Sequence, residues 1–292
     1  MDLAKLLSQA NRRFYRQGMV YHVANIVFDD AQGDADIDVC TVPQNWTSQA
    51  AWQLGFNAWL SQQRAAMSAL GQDDLGRWSD FKIPINNDMR GDPDQATLID
   101  VNGNTFGVGD WTYSKFILPD DGGADPNSCD IDFMGNYAGS YPAHTRVSLL
   151  RQLELAIRAP QEDPEFVSSA ADQSVYALMS ADQVDTKMLQ EVISDIEADN
   201  DMPPYDHDAI QGAGTAGTGR PSSPWVARTC MIKGGASTSS PVAAVGGFAA
   251  PCGLLMIETN SSVDGNSIGV TIEVVPGEYK GVHAYPMRGG GY

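Results

Sequence analysis

The residues able to do chemistry fall into a few groupings. Asp34, Asp36 and Asp38 alternate, as oxygen ligands do at the start of a calcium loop. The full loop pattern also needs a glycine and a later glutamate at fixed offsets, and neither stands at its position here. On a strand these carboxylates project to one side, so they read as a solvated face first and as weak calcium candidates second. Asp206-His207-Asp208 offers an imidazole between two carboxylates. A zinc site takes three or four converging ligands, and His22, His144 and His283 stand isolated in the chain, so the triplet reads as surface loop. Gly212-Ala213-Gly214-Thr215-Ala216-Gly217 fits the dinucleotide fingerprint letter for letter. That fingerprint works only between a strand and a helix N-terminus. Here Pro203-Pro204 precede it and Gly219 and Pro221 follow, which makes it a linker. No G-x-S-x-G elbow occurs. With 37 acidic residues, no carboxylate pair is singled out for glycoside hydrolysis.

Arg12, Arg13 and Arg16 form the densest basic cluster. They suit an anionic partner, either a polyanion such as a genome or anionic lipid headgroups on an interior face. Three charges bind weakly on one chain, and many copies on a closed shell add up. Arg90-Gly91-Asp92 matches an adhesion tripeptide and reads as a turn. Asn45-Trp46-Thr47 and Asn260-Ser261-Ser262 are glycosylation sequons. Cys40, Cys129, Cys230 and Cys252 are far apart with no C-x-x-C, so they read as buried thiols; a Cys230–Cys252 bridge is the alternative in an oxidising setting.

The elements that must position these residues are set by composition and pattern. The chain has 292 residues, 18 basic and 37 acidic, for a net charge of −19. Charged residues are only 19% of the chain, so the imbalance comes from missing Lys and Arg. That excludes a basic protein that coats nucleic acid, which needs clustered cations to neutralise phosphates. Hydrophobic residues at 42% and aromatics at 9% exclude global disorder. The opening Met1–Lys5 lacks an apolar core, so no signal peptide is expected. Residues 234–257 are uncharged but carry Pro241, Pro251 and several glycines; they read as a loop followed by a buried strand, not as a membrane helix.

Leu3, Leu6, Leu7, Ala10 and Phe14 recur at helical spacing, predicting an amphipathic helix over 3–16 with the arginines at its end. Tyr21, Val23, Asn25 and Val27 alternate with His22, Ala24, Ile26 and Phe28, which predicts a strand buried on both faces. A second strand is expected over 34–42, and a long helix over 48–70 ending at Gly71. Residues 78–85 alternate again. Asn102-Gly103 marks a hairpin turn, and 109–118 reads as a strand. Residues 146–158 favour helix on composition. A helix is expected over 181–198, a Gly-rich loop over 211–224, and strands over 225–233, 253–259, 267–275 and 279–287.

Strands do not alternate regularly with helices, so a doubly wound parallel sheet is excluded. The expected fold is mainly β: an antiparallel β-sandwich of jelly-roll type with helical insertions and a short N-terminal helix. The organisation is an arm over 1–18 and a single domain over 19–292. A short helix is marginal alone, so the arm is expected to swap or dock between subunits.

Four segments carry a resemblance: Asn11-Arg12-Arg13-Phe14-Tyr15-Arg16-Gln17-Gly18, Trp111-Thr112-Tyr113-Ser114, Asp199-Asn200-Asp201-Met202-Pro203-Pro204-Tyr205-Asp206 and Gly281-Val282-His283-Ala284-Tyr285-Pro286. With these the chain resembles jelly-roll capsid proteins of small tailless icosahedral DNA viruses. The resemblance implies a non-enzymatic structural protein of the virion that assembles with copies of itself, beside other virion proteins. It departs from that pattern in lacking an Arg-rich arm, which implies weak or indirect contact with the genome or an internal membrane. No cofactor is expected beyond structural calcium bridging carboxylates between subunits. The alternatives from other classes are a carbohydrate-binding β-sandwich, calcium-dependent in one form, with Trp46, Trp78 or Trp111 as platforms, and an acidic glycoside hydrolase.

Overall fold

The computed structural model describes residues 1–30, 36–71, 76, 78–91, 98–100, 102–106, 109–118, 127–135, 145–158, 226–231, 242–260 and 268–287. The helix expected over 181–198, the loop over 211–224, Asp34 and Asp206-His207-Asp208 lie outside these residues. The described chain is largely strands in antiparallel sheets with few helices, a mainly β fold.

One sheet holds β1 (Met19–Asp30) at its centre, flanked by β7 (Val242–Pro251) on one side and by β9 (Ile268–Val274) and β12 (Ala284–Pro286) on the other. A second sheet has the order β6 (Val226–Met231), β2 (Asp36–Thr41), β8 (Leu255–Asn260). Every pairing in both is antiparallel. The sequence neighbours β1 and β2, β6 and β7, and β8 and β9 are thus each divided between the two sheets. Side chains from both meet in one core: Tyr21, Val23, Ile26 and Phe28 of β1, Ile37 and Val39 of β2, Val245 and Phe248 of β7, and Leu255 of β8.

The expectation that β1 is buried on both faces holds only at its start, where Val20 enters a second core, and is corrected beyond it. Its register against β9 slips between Val23 and Asn25. Ala24 is the extra residue of a β-bulge, and a one-residue slip moves later side chains to the other face. Tyr21 and Val23 point inward before the bulge, and Ile26 and Phe28 after it, all at most 1% exposed. The two interleaved apolar series of the sequence are one inward face in two phases. Gly247 faces the bulge: a Cβ there would lie 3.1 Å from the Val23 carbonyl oxygen and 3.2 Å from that of Ala24. β7 itself was expected to begin as loop. Its Ala- and Gly-rich residues carry little strand preference, and the ladder with β1 holds them extended.

A second core lies beside the sheets. α2 (Trp46–Leu70) buries Trp52, Phe56 and Trp59 against Phe81, Ile83 and Ile85, and against β4 (Asn127–Asp132) through Cys129 and Ile131. Asn45 caps α2, its side chain accepting from the Ser48 amide at 2.8 Å, so the first sequon is a helix N-cap. Trp52 and Phe56 stack with centroids 4.9 Å apart. β3 (Lys115–Leu118) pairs antiparallel with β4, and β4 pairs parallel with β5 (Arg146–Ser148), which leads into α4 (Leu149–Arg158). The segment 146–158 is thus strand then helix. Only the last four residues of 109–118 form a strand, and 78–85 forms none. Gly103 takes the predicted turn with φ of 82°.

Arg90 lies in the short helix α3 (Asn87–Gly91) and pins this layer. It contacts Asp132 at 3.1 Å and Asp130 at 3.5 Å, while Arg146 reaches the same two carboxylates and Lys115 reaches Asp130. With its side chain 13% exposed, Arg90 is committed to the interior and the tripeptide match serves structure. Cys40, Cys129 and Cys252 are buried free thiols, so Cys252 takes no part in a bridge to Cys230. Burial pushes Cys129 up to about 11.

Candidate polyanion interface

α1 (Leu3–Asn11) is shorter than the expected 3–16. Asp2 caps its start, accepting from the Ala4 amide at 2.9 Å and the Lys5 amide at 3.2 Å. Arg12 ends it in the left-handed region, with φ of 52°. The arginines therefore follow the helix and do not lie in its last turn. The helix docks on its own chain: the Leu3 amide donates to the Gly253 carbonyl at 2.8 Å, and Leu3 and Ala4 are at most 2% exposed.

Past the helix, residues 12–17 run against the turn at Glu278–Gly281 that joins β10 (Pro276–Gly277) to β11 (Gly281–Val282). Tyr15 Oη donates to the Lys280 carbonyl at 2.8 Å, and the Arg16 amide donates to Tyr279 Oη at 3.1 Å. Lys280 Nζ donates to the Phe14 carbonyl. Tyr21 Oη donates to the Arg16 carbonyl at 2.6 Å; burial holds that phenol far above the usual tyrosine range.

This brings Lys280 to the arginine cluster, with the buried Lys82 behind it. Lys82 Nζ lies 4.7 Å from the Trp111 ring centroid and 5.5 Å from that of Phe14. Lys280 Nζ lies 5.2 Å from the Tyr279 centroid, and the Arg16 guanidinium 5.8 Å from Phe14. Aromatic faces thus hold these cations in place. Asp80 pairs with Arg16 at 3.4 Å and accepts from the Gln17 amide at 3.0 Å. Arg12 and Arg13 are exposed. Partial desolvation, then the charges of Arg16 and Arg13, pull the Lys280 ammonium below the usual lysine range against the opposing pull of Asp80.

The backbone is strained at two of these cations. Among the described residues, the non-glycine residues with positive φ are Arg12, Cys252 and Lys280, the last at 54°. Left-handed backbone costs an L-residue roughly 1–2 kcal/mol, and such strain concentrates at functional positions. Sequence reasoning found Arg12, Arg13 and Arg16 but missed Lys82 and Lys280. Nothing local marks a lone lysine 66 or more residues away, and only the fold joins them.

The other candidates are more dispersed. Asp38 is half-buried on β2, opposite Glu258 of β8, and Asp36 takes the next position on that face. Among the described residues, no three of His, Cys, Asp and Glu gather as a metal site would require. Trp46 is 49% and Trp78 66% exposed. Trp111 is not a free platform, since Asp2 holds its indole nitrogen and Lys82 covers its ring. A groove of about 400 Å³ opens between β8, β9 and the start of α3, with Asp88 and Glu258 among apolar walls. No family model, curated protein or solved structure matches the chain.

Proposed function

We propose that the protein is a structural coat subunit that assembles with copies of itself into an icosahedral viral shell, with the patch of Arg12, Arg13, Arg16 and Lys280 as its inward footing on a polyanion. The observation that carries this reading is the gathering of four cations, two of them on strained backbone, in a chain of net charge −19. A polyanion is attracted to that patch and repelled elsewhere, which orients the subunit. Division of consecutive strands between two antiparallel sheets supports the jelly-roll form of sandwich. Edge strands such as β8 and β9 and the loops around them are the surfaces offered to neighbours, and closed symmetry repeats modest contacts.

The acidic balance opposes assembly through self-repulsion. Divalent ions between carboxylates of adjacent subunits, a basic virion protein or an internal membrane relieve it. Electron microscopy of the purified protein, with and without EDTA over a range of salt, tests the reading. Regular closed particles are expected, sensitive to EDTA at low salt. A monodisperse monomer at every condition overturns the shell, and glycan binding by that monomer favours the carbohydrate-binding sandwich, to which the exposed Trp46 and Trp78 would belong.

A further inference from the structure

β1 is completed along one edge by two separate segments. β9 pairs with it from Asp30 back to Val23, and β12 pairs with it from Tyr21 to Met19. His22 occupies the gap. Its carbonyl accepts from the Val275 amide at 2.9 Å, where β9 ends, and its amide donates to the His283 carbonyl at 3.1 Å, just before β12 begins. The His283 amide returns to the Val275 carbonyl. Residues 275–287 thus form a strap that leaves β1 at His22, turns, and rejoins it one residue on. The strap is folded tightly there: a Cβ at Gly277 would come within 2.5 Å of His283 Cα.

The side chains meet at the same place. The rings of His22 and His283 lie edge-to-face with centroids 4.6 Å apart, and the Tyr285 ring lies 5.6 Å from His22. His22 Nε2 is enclosed and has no hydrogen-bond partner. From the strap, His22 faces His283 and Tyr285. From β7 it faces Ala249 and from the end of β9 Val274 and Val275, none of them titratable. The loop after β2 adds the uncharged Gln44 amide, which donates to Tyr285 Oη. No carboxylate is among these groups to receive a proton-bearing imidazole.

We propose that His22 is an acid-sensitive latch, whose protonation against His283 frees the strap 275–287 from the edge of β1. A neutral Nε2 tolerates enclosure, whereas an N–H⁺ there is a buried charge without an acceptor beside a second imidazole. Burial, then His283, lowers the His22 pKa from its ordinary 6.5. A value lowered in the docked state means docking is fully stable above 6.5 and weakens as pH falls below it. Release would uncover Tyr15, Tyr21 and the edge of β1, and would withdraw Lys280 from the basic patch. The latch belongs to the single chain and does not depend on assembly.

Amide exchange read by mass spectrometry at about pH 8 and about pH 5, corrected for the intrinsic rate, tests it. Peptides within 275–287 should lose protection as pH falls below 6.5, by at most about tenfold for each pH unit because one proton is taken up, while β2 and β8 keep theirs. His22→Phe should keep the strap protected in acid, and His283→Gln, on an exposed residue, should make the acid loss smaller. Unchanged strap protection in the unmodified protein overturns the latch. So does loss spread evenly over the chain, or an unaltered profile in His283→Gln should His22→Phe fail to fold.

Discussion

Trp111 donates its indole hydrogen to Asp2 Oδ2 at 3.0 Å, across 109 residues of chain. The same carboxylate caps α1 and accepts from Gln17 Nε2 at 3.0 Å. Gln17 in turn donates to the Ile83 carbonyl and accepts from the Ile83 amide. One buried acid therefore ties the helix, the strand entry, the 78–85 segment and the 109–114 segment together.

Burial raises the Asp2 carboxyl from 3.8 to about 6, against its hydrogen bonds and the Met1 amine. Folding thus favours its protonated form: its contribution is full below pH 3.8 and is lost as pH rises through about 6. The Met1 amine is lowered by burial from 8.0 to about 6, so its contribution is full above pH 8 and is lost as pH falls through about 6. Asp2→Asn removes the first dependence only. Urea unfolding across this range should show a flatter fall toward neutral pH, with the acid-side fall retained. Asp2→Ala orphans the donors at every pH and should cost about 2–4 kcal/mol. An Asn variant with an unaltered pH profile would contradict the assignment.

The β1 bulge makes a sharper prediction. Deleting Ala24 removes the phase slip and leaves Tyr21, Val23, Ile26 and Phe28 alternating on one face of a regular strand. Such a chain should keep its inward face and stay folded, which is read by retained soluble expression. Gly247→Ala pushes a methyl into two carbonyls and should cost roughly 1–3 kcal/mol by thermal unfolding.

Arg90→Met strands Asp132, which is fully buried, beside Arg146 as its remaining cation. The expected loss is roughly 3–5 kcal/mol in chemical denaturation. Arg90→Lys should recover little of it, because one ammonium cannot span both carboxylates and the Ile131 carbonyl as the guanidinium does.

The patch separates stability from binding. Arg12→Gly and Lys280→Gly each relieve left-handed strain, so each should be neutral or more stable by about 1 kcal/mol. Each should also weaken binding of a model polyanion and lower its salt dependence by about one counterion. Filter binding over a salt series reads both. Variants that bind as tightly as the unmodified chain would remove the patch from the proposed role.

Much of the architecture is legible in the chain. The aromatic residues from Trp52 to Trp59 and Gly71 mark α2 to within two residues, whereas Asn45, which reads as a sequon, shows itself as the N-cap only in the fold. Asn102-Gly103 marks its turn. The β1 bulge is not legible, because a phase slip in an apolar run resembles a strand buried on both sides until Gly247 is seen opposite it. β7 is hidden because its ladder, not its side chains, makes it a strand. The site divides in the same way. The arginines are contiguous and visible, whereas Lys82 and Lys280 join them only because Tyr15, Tyr279 and Gln17 stitch distant segments together.

The anchoring of α1 has a mechanical consequence. Arg12 and Arg13 sit at its far end, and its near end is bonded to the second sheet by the Met1 amine on the Leu255 carbonyl, the Leu255 amide on the Met1 carbonyl and the Leu3 amide on Gly253. Any pull applied at the arginines by a tethered polymer runs down the helix axis into β8, a strand at a sheet margin. Tension at the arginines and the set of the outermost strand are thereby coupled through a stiff rod of nine residues.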